Sequence, residues 1–379
     1  MFFKELYLGM NKSIFLLFID STLGSVLLLV GIIFKLVYRL LNLKYSSDKV
    51  LIIKILGAGN FYAIGEILEK DNVCVVTSKD NFSVLKNINP KIKIYEVNDK
   101  NLLSLTISTI YLIFNLLKIN FSQVINLESE SKFAKFLCSI TRANKVSGLS
   151  NKNKSFSDAL IYDNYLVSPF LLNKTNQIYQ LIKFTKVINP DMKLLVDIQH
   201  EKFFNILDLE PSLHVTVTPS CSESKQHNLL RRLKNSDWEY FLKQLSSIDK
   251  VVKIKVIFPN EKDSQFDFFF SLQRKYEKIE ILITNYEQFV DSIKKCNLLL
   301  TIDSQALHIG QKFKKSIICF YGPSNPFSIN IIDSTLPIYQ SLECSPCTDK
   351  YLKLPCSNKA PCMNFTKKEL DLTKFINKS

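Results

Sequence analysis

An aspartate, a serine and a histidine stand close together between two apolar runs in the second half of the chain. Asp303 and Ser304 directly follow the run Leu298–Ile302, and His308 comes four residues after Ser304. The N–H groups and positive dipole end at the start of a helix bind anions such as a diphosphate. His308 can hydrogen-bond a phosphate oxygen, orient Asp303 or be purely structural. The sequence therefore predicts an anion site near residue 303, with these roles of His308 left open.

The two apolar runs around this site predict the elements that position it. Leu298–Ile302 and the later run 317–320 lack polar alternation, which is typical of strands buried on both faces of a parallel sheet. The stretch between them is predicted to be a helix capped by Asp303 or Ser304. The start of this helix then lies at the carboxyl edge of the sheet, where α/β proteins bind their ligands.

A second set of phosphate-binding candidates follows a strand predicted at 213–218. The loop 219–227 contains Ser222, Ser224 and Lys225, and Arg231 and Arg232 are predicted to begin the next helix. Hydroxyl, ammonium and guanidinium groups all donate hydrogen bonds to phosphate oxygens. These residues are therefore candidates for the same anion site.

The first half of the chain has a glycine loop and a charged segment, each after a predicted strand. Gly57-Ala58-Gly59 follows the strand predicted at 49–55, and the whole chain has nine glycines. This spacing predicts a tight turn or a close approach to a ligand, although Tyr62 breaks the full dinucleotide-binding pattern. The segment 126–133, with Glu128, Glu130 and Lys132, either binds hydroxyls and phosphates of a substrate or is a solvated loop.

These blocks, in this order, resemble the heptosyltransferase-like glycosyltransferases of family 9, which help to build lipopolysaccharide cores. The resemblance rests on Asp303-Ser304, His308 and Phe320-Tyr321-Gly322-Pro323 with Pro326, on Lys54 to Gly59, on Leu127-Glu128 with residues 142–148, and on the C-terminal cysteines. Two residues depart from the family pattern. Gln305 stands where the family usually has glycine, and Asn60 stands where the family places an aspartate.

The resemblance implies a GT-B fold, an α/β architecture of two Rossmann-like domains facing each other across a cleft, preceded here by an apolar helical segment. It also implies inverting, metal-independent transfer of a heptose-like sugar from a nucleotide-diphosphate donor to a lipopolysaccharide-core or other glycolipid acceptor. The donor candidates are Lys225, Arg231, Arg232, Asp303, Ser304, Gln305 and His308. The acceptor-loop candidates are Gly57, Ala58, Gly59 and Lys132.

The general base is the open question of this assignment. Transfer needs a group that deprotonates the acceptor hydroxyl, and the carboxamide of Asn60 is not a useful base. Glu66 and Glu128 are the candidate substitutes. The alternative is a catalytically degenerate protein that binds a nucleotide sugar or scaffolds glycan assembly without transferring sugar.

Length and composition favour a two-domain globular chain. With 379 residues, of which 46% are hydrophobic and 22% charged, the chain can bury sizeable cores and is unlike a disordered protein. The predicted domains are an apolar segment 1–46, an acceptor domain 47–205, a donor domain 206–343 and a tail 344–379. The net charge of +14 suits an anionic membrane or sugar nucleotide, whereas a basic helix or aromatic block for nucleic acid is lacking.

Residues 13–41 are the most apolar stretch. Asp20 and Lys35 bracket an uncharged segment of 14 residues, which is shorter than the roughly 20 needed to span a bilayer. We therefore expect one or two helices in the membrane interface, with Lys35 and Arg39 toward the lipid phosphates. A single transmembrane pass and a helix buried in the first domain are the alternatives. The predicted location is the cytoplasmic face of the inner membrane.

Four of the nine cysteines fall in the C-terminal tail. Cys344, Cys347, Cys356 and Cys362 follow the spacing C-x2-C-x8-C-x5-C. Four thiolates so placed can surround a tetrahedral zinc ion, but the inner spacings are not those of a zinc ribbon. Nothing in the expected chemistry requires a metal. An odd number of cysteines in an α/β pattern favours a reducing compartment over a disulfide framework.

Overall fold

The computed structural model describes residues 12–167, 211–221, 230–326, 334–340 and 359–365, together with positions 342, 344, 345, 347 and 356. Within these ranges, positions 56, 58, 129–130, 151–155 and 325 are not described. Ser222, Ser224, Lys225 and the domain boundary predicted after residue 205 lie outside the described residues. The chain divides into two compact units, one holding a sheet within residues 50–167 and the other a sheet within residues 213–339.

The first unit is built on a parallel sheet in which six strands are described, in the order β3-β2-β1-β4-β5-β6. The strands are β1 (Val50–Ile53), β2 (Val73–Ser78), β3 (Lys93–Val97), β4 (Asn120–Asn126), β5 (Arg142–Ser150) and β6 (Asn164–Val167). The described helices are α1 (Lys12–Leu40), α2 (Asn60–Ala63), α3 (Gly65–Leu68), α4 (Phe82–Ile88), α5 (Leu102–Lys118), α6 (Lys132–Ile140) and α7 (Phe156–Ile161). Every residue of β2 is buried, as expected for a strand covered on both faces.

The second unit repeats this architecture, with strand order β12-β11-β10-β7-β8-β9. Its strands are β7 (Leu213–Thr218), β8 (Val251–Phe258), β9 (Ile279–Ile283), β10 (Leu298–Ile302), β11 (Ser316–Tyr321) and β12 (Thr335–Tyr339). Its described helices are α8 (Asn235–Ser247), α9 (Phe266–Lys275), α10 (Tyr286–Lys295) and α11 (Gln305–Lys312). Trp238 on α8 packs between the rings of Phe269 and Phe320 at centroid distances of 5.9 and 5.7 Å, so it joins α8 to the sheet.

The predictions differ from the structure where local sequence is a weak signal. The edge strands β6 and β12 and the polar strand β5 were not predicted, because their pairing partners rather than an apolar pattern define them. The expectation that Arg231 and Arg232 begin a helix is wrong. Helix α8 begins at Asn235, and both arginines lie before it, where acidic residues hold their side chains.

The apolar N-terminal segment forms one continuous helix, α1, which packs along α6. The prediction that Lys35 and Arg39 point to lipid phosphates is wrong, since their nitrogens lie 3.7 and 2.8 Å from the carboxylate of Asp163. Burial lowers the pKa of Lys35, whose side chain is enclosed by the first unit. In the described part of the chain, Asp20–Leu40 is the one segment long and apolar enough to cross a membrane.

Candidate functional site

Asp303 lies at the carboxyl edge of the second sheet, immediately after β10, and is 4% exposed. Arg231 Nη1 lies 3.1 Å from Asp303 Oδ2 and donates to the backbone oxygen of Asp303 at 3.2 Å. The hydroxyl of Ser324, just after β11, donates to the same carboxylate oxygen. The buried carboxylate is thus compensated by a cation and a hydroxyl, and it fixes the guanidinium at the sheet edge. Asp303 therefore fixes the position of Arg231, whose side chain is still 24% exposed.

His308 lies in the second turn of α11 and responds to the charges of Asp303 and Arg231. Burial lowers the pKa of His308; the carboxylate of Asp303 opposes this effect and the guanidinium of Arg231 adds to it. Its Nδ1 is buried and has no hydrogen-bond partner among the described residues. We infer that the imidazole is neutral at pH 7, because burial disfavours its charged form.

This lowered pKa gives a pH dependence that can be measured. The unfolded chain takes up a proton at His308 near pH 6.5, whereas the folded chain resists it, so folding stability falls as the pH drops from 6.5 toward the folded pKa. One group contributes at most about 1.4 kcal/mol per pH unit in that window and nothing above it. The free energy of unfolding, measured by chemical denaturation from pH 7.5 to 5, should contain this pH-dependent component in the wild type but not in His308→Gln. The exposed histidine of β7 provides the control His214→Gln, which should retain the component; equal slopes in wild type and His308→Gln would contradict the prediction.

A chain of hydroxyl groups lies beneath the start of α11. Ser304 occupies the N-cap position of α11, but its side chain makes no capping hydrogen bond, so this part of the prediction is wrong. Instead, Ser304 Oγ lies 3.3 Å from Thr301 Oγ1, which accepts a hydrogen bond from Thr218 Oγ1 at 2.7 Å. The first N–H groups of α11 are therefore not capped by Ser304, which suits a helix start that binds an anion.

Gln305 is accommodated at the start of α11 by a contact with α10. Its Nε2 donates to the hydroxyl of Tyr286 at 3.3 Å. The Gln305 side chain is therefore engaged with the neighbouring helix, in which Tyr286 is the first residue. Because its side chain is bonded to Tyr286, Gln305 need not block a ligand from the start of α11.

Replacing Gln305 with glycine tests this arrangement. We expect the free energy of unfolding to fall by about 0.5–1 kcal/mol, because glycine is a poor helix former. Affinity for a nucleoside diphosphate should change by less than about threefold, since the side chain already points to Tyr286. Isothermal titration calorimetry measures the affinity, and Tyr286→Phe, which removes only the hydroxyl, is the companion variant. A large gain in affinity for Gln305→Gly would show instead that the side chain obstructs the ligand.

Arg232 lies beside Arg231 but has different surroundings. Its Nη1 and Nη2 donate to the two carboxylate oxygens of Asp263 at 3.2 and 2.8 Å, and the two side chains are 8% and 4% exposed. This bidentate pair joins the loop after β8 to the turn before α8. Of the two adjacent arginines, the structure therefore leaves Arg231 the more accessible to a ligand.

The carboxyl edge of the first sheet carries the second group of candidates. Gly57 has φ of +84°, in the left-handed region that favours glycine, so the predicted tight turn is present there. Gly59 has ordinary helical angles at the start of α2, and Ala58 is not described. Next to this turn, Lys54 Nζ lies 3.1 Å from Glu128 Oε1, which also accepts from the Ile55 N–H at 2.8 Å. The ion pair is nearly enclosed, with side chains 9% and 15% exposed.

Asn60 and Lys54 both approach Gly57. A Cβ built on Gly57 would lie 3.6 Å from Asn60 Nδ2 and 3.9 Å from Lys54 Nζ. The structure therefore gathers Asn60, Lys54 and Glu128 around the glycine turn. Glu66 lies in the first turn of α3, a separate helix after α2. The pairing of Lys54 with Glu128 spans 74 positions of sequence, so no local pattern indicates it.

Lys132 is turned toward α1. Its Nζ donates to Ser25 Oγ at 2.7 Å and to the Ser21 carbonyl at 3.2 Å. The carboxylate of Asp20 accepts from the N–H groups of Lys132 and Phe133 and from the Ser131 hydroxyl, at 3.0, 2.9 and 3.0 Å. Asp20 thus caps α6 from another helix, a role that its sequence position does not indicate.

The tail cysteines gather near Gly322. The Cys347 N–H donates to the Pro323 carbonyl at 2.9 Å, and a Cβ on Gly322 would lie 3.3 Å from Cys362 Sγ. Burial raises the pKa of Cys362 to about 11, and the neighbouring Cys347 thiol adds to the effect. Cysteine must be deprotonated to ligate a metal. No cluster of three metal-binding side chains is arranged around a common point within the described ranges.

No protein-family model and no curated protein sequence matches this chain, but solved structures do. The glycosyl transferase family 9 structure from Veillonella parvula DSM 2008 has a TM-score of 0.60 and 13% identity, covering 89% of this chain and 99% of that one. The chain has the heptosyltransferase fold. E. coli heptosyltransferase WaaC with ADP has a TM-score of 0.57 and 11% identity, covering 76% of this chain and 92% of that one.

A third structure of the heptosyltransferase fold gives the same result. E. coli ADP-heptose lps heptosyltransferase II has a TM-score of 0.54 and 13% identity, covering 77% of this chain and 91% of that one. These similarities confirm the predicted GT-B class, with two parallel sheets and an apolar N-terminal helix. At identities this low they concern the fold, and the chemistry depends on this chain's own residues.

Proposed function

We propose that this protein is a glycosyltransferase that moves a heptose-like sugar from a nucleotide-diphosphate donor to a lipopolysaccharide-core or other glycolipid acceptor. The observation that carries the proposal is Arg231, held by the buried Asp303 beside the start of α11. A guanidinium and a helix N-terminus together form a strong site for a diphosphate. In support, structures of this fold include WaaC with ADP and with ADP-2-deoxy-2-fluoro heptose.

The proposed reaction is an inverting displacement at the anomeric carbon. The acceptor hydroxyl oxygen forms the new glycosidic bond while the bond from the anomeric carbon to the diphosphate breaks. The leaving diphosphate takes the electron pair, and Arg231 and the α11 N–H groups stabilise its charge. Glu128 takes the acceptor proton as general base. The positive charge comes from protein groups, so the proposal assigns no metal to the reaction.

We place the reaction at the cytoplasmic face of the inner membrane, with the protein bound peripherally. A glycolipid acceptor remains anchored in the bilayer, so the enzyme must work at the membrane surface. The exposed apolar side chains of α1 support attachment to a membrane surface.

Titration with ADP, GDP and UDP tests the donor site. We expect saturable binding of one of them, weakened by roughly 10- to 100-fold in Arg231→Gln, because a hydrogen bond to a charged group contributes about 1.5–3 kcal/mol. Lys234→Ala, which removes an exposed lysine three residues away, is the matched control and should bind like wild type. Calorimetry gives both affinity and stoichiometry. No binding of any of the three nucleotides would contradict the proposed function.

Asn60 favours a second candidate function, binding of a nucleotide sugar without transfer. This candidate shares the donor site and differs only in lacking a competent base. Two results together would support it. The protein binds a donor but turns over no acceptor, and substitution of Glu128 or Glu66 leaves donor binding unchanged.

A further inference from the structure

Two helices of the first unit carry most of its exposed apolar surface. Among the described residues, 16 of the 21 well-exposed large hydrophobic side chains lie on α1, on α5 or at Leu41 and Leu43 just after α1. Leu29 and Ile33 on α1 are 63% and 56% exposed, and Leu103 and Phe114 on α5 are 70% and 60% exposed. Apolar side chains exposed in this number mark an interaction site when they lie together.

The two helices cover the same face of the first sheet. Leu28 of α1 and Leu112 and Leu116 of α5 belong to one buried core, together with residues of α6. The chain that follows each helix leads to the same edge of the sheet, where Ser47 Oγ donates to the carbonyl of Asn120, the first residue of β4, at 2.8 Å. We call their outer surfaces, which lie over the same buried core, the platform.

The charges on this platform suit an anionic surface. Asp20 is the one acidic residue within α1, and it is engaged in capping α6; the α5 sequence contains none. Exposed lysines, Lys44 and Lys118, follow or end the two helices at the shared edge. The exposed Asp48 lies near the same edge, but the exposed Lys49 is next to it, so Lys44 and Lys118 leave the rim with a net positive charge. An apolar surface with a net basic rim is complementary to anionic lipid headgroups.

The polar contacts of α1 hold it along the unit. Asp20 caps α6 near one end of the helix, and Lys35 and Arg39 pair with Asp163 near the other. Between them, a Cβ on Gly31 would lie 2.0 Å from Ser139 Oγ, so the helices touch closely. From residue 20 to 39 this attachment extends over about 29 Å. A transmembrane orientation would break these contacts or draw the polar side of α6 into hydrocarbon.

We propose that α1 and α5 together dock the protein on an anionic lipid bilayer, with α1 lying in the plane of the membrane interface. Lys132 contacts α1 and stands four residues after Glu128, so docking brings the first sheet's glycine-turn edge close to the bilayer surface. This inference deepens the membrane side of the proposed function. A membrane-anchored acceptor would reach Glu128 from that surface.

Vesicle binding by the full-length protein tests the docking without any nucleotide sugar, so its outcome is separate from that of the donor titration. Vesicles of phosphatidylcholine with 30% phosphatidylglycerol are the probe, chosen for their anionic surface. We expect flotation with these vesicles and release by alkaline carbonate. The double variant Ile33→Glu/Phe114→Glu should bind at least about 100-fold more weakly, because two apolar groups are lost and two negative charges added.

Val252→Glu, at an exposed apolar position of the second unit, is the matched control and should bind like wild type. Circular dichroism confirms that each variant is folded. Resistance of the wild type to carbonate would overturn the proposal in favour of a membrane-spanning helix. Undiminished vesicle binding by the double variant would also overturn it. Absence of wild-type binding, with a dimer that the double variant dissociates, would assign the platform to a second copy of the chain instead.

Discussion

Glu128→Gln is expected to lower kcat by roughly 100- to 10,000-fold, the usual contribution of a general base. The carboxamide keeps the size of the side chain but cannot accept the acceptor proton. The position suits the role because Glu128 lies at the carboxyl edge of the first sheet, its carboxylate fixed by Lys54 and the Ile55 N–H. The Glu128 N–H in turn donates to Asn126 Oδ1 at 2.9 Å, which fixes the backbone after β4.

The measurement is release of nucleoside diphosphate from the donor that binds, in the presence of a glycolipid acceptor. Donor affinity in the same variant should stay within about threefold of wild type, since the donor candidates lie in the second unit. Glu66→Gln makes the same chemical change on α3 and is the matched control, with turnover near wild type. If Glu66→Gln removes activity and Glu128→Gln does not, the base is Glu66. Full activity in both variants would remove both glutamates from the mechanism.

Gly31→Leu is expected to separate α1 from α6. A Cβ at residue 31 would lie 2.0 Å from Ser139 Oγ and 3.1 Å from a ring carbon of Phe136, both on the contacting face of α6. Overpacking of this kind destabilises by about 3 kcal/mol, and a leucine side chain cannot be turned away from the interface without moving the helix. Amide hydrogen exchange measured by mass spectrometry should then show about 100-fold faster exchange in α6.

Two further variants test whether the effect arises from the close contact between Gly31 and Ser139. At Gly24, a Cβ would lie 3.3 Å from Lys132 Cβ and 3.4 Å from Asp20 Oδ1, so Gly24→Ala should change exchange little. Ser139→Ala removes Oγ, the atom nearest to a Cβ at residue 31. Added to Gly31→Ala, it should partly restore the protection of α6 from exchange. Unchanged protection of α6 in Gly31→Leu would show that α1 does not pack on α6 in solution.

Much of the fold could be predicted from the sequence because buried strands leave a direct signal. The strand predicted at 213–218 coincides with β7, the run 298–302 coincides with β10, and the run 317–320 lies within β11. The helix predicted between the last two runs is α11. In contrast, β5 is polar and β6 and β12 are edge strands, so only their pairing with neighbouring strands identifies them.

The site was predictable to the extent that it depends on strand ends. Asp303 after β10, Gly57 after β1 and Glu128 after β4 were placed at sheet edges, because parallel strands end together. Their side-chain partners were not predictable, since Arg231 and Asp303 are 72 positions apart and Lys54 and Glu128 are 74 apart. The sequence likewise showed two equivalent arginines, 231 and 232, of which Asp263 holds the second.

By itself, the sequence determined that this chain forms two units on parallel sheets with ligand-binding candidates at their carboxyl edges. Periodicity and strand-end polarity report directly on which backbone is buried and where it emerges. Only the tertiary structure decided which charges are paired, that Asp20 caps α6 and that Lys35 turns inward to Asp163. A charged side chain is stabilised by whatever partner folding brings within a few ångströms, and that partner has no fixed distance along the sequence.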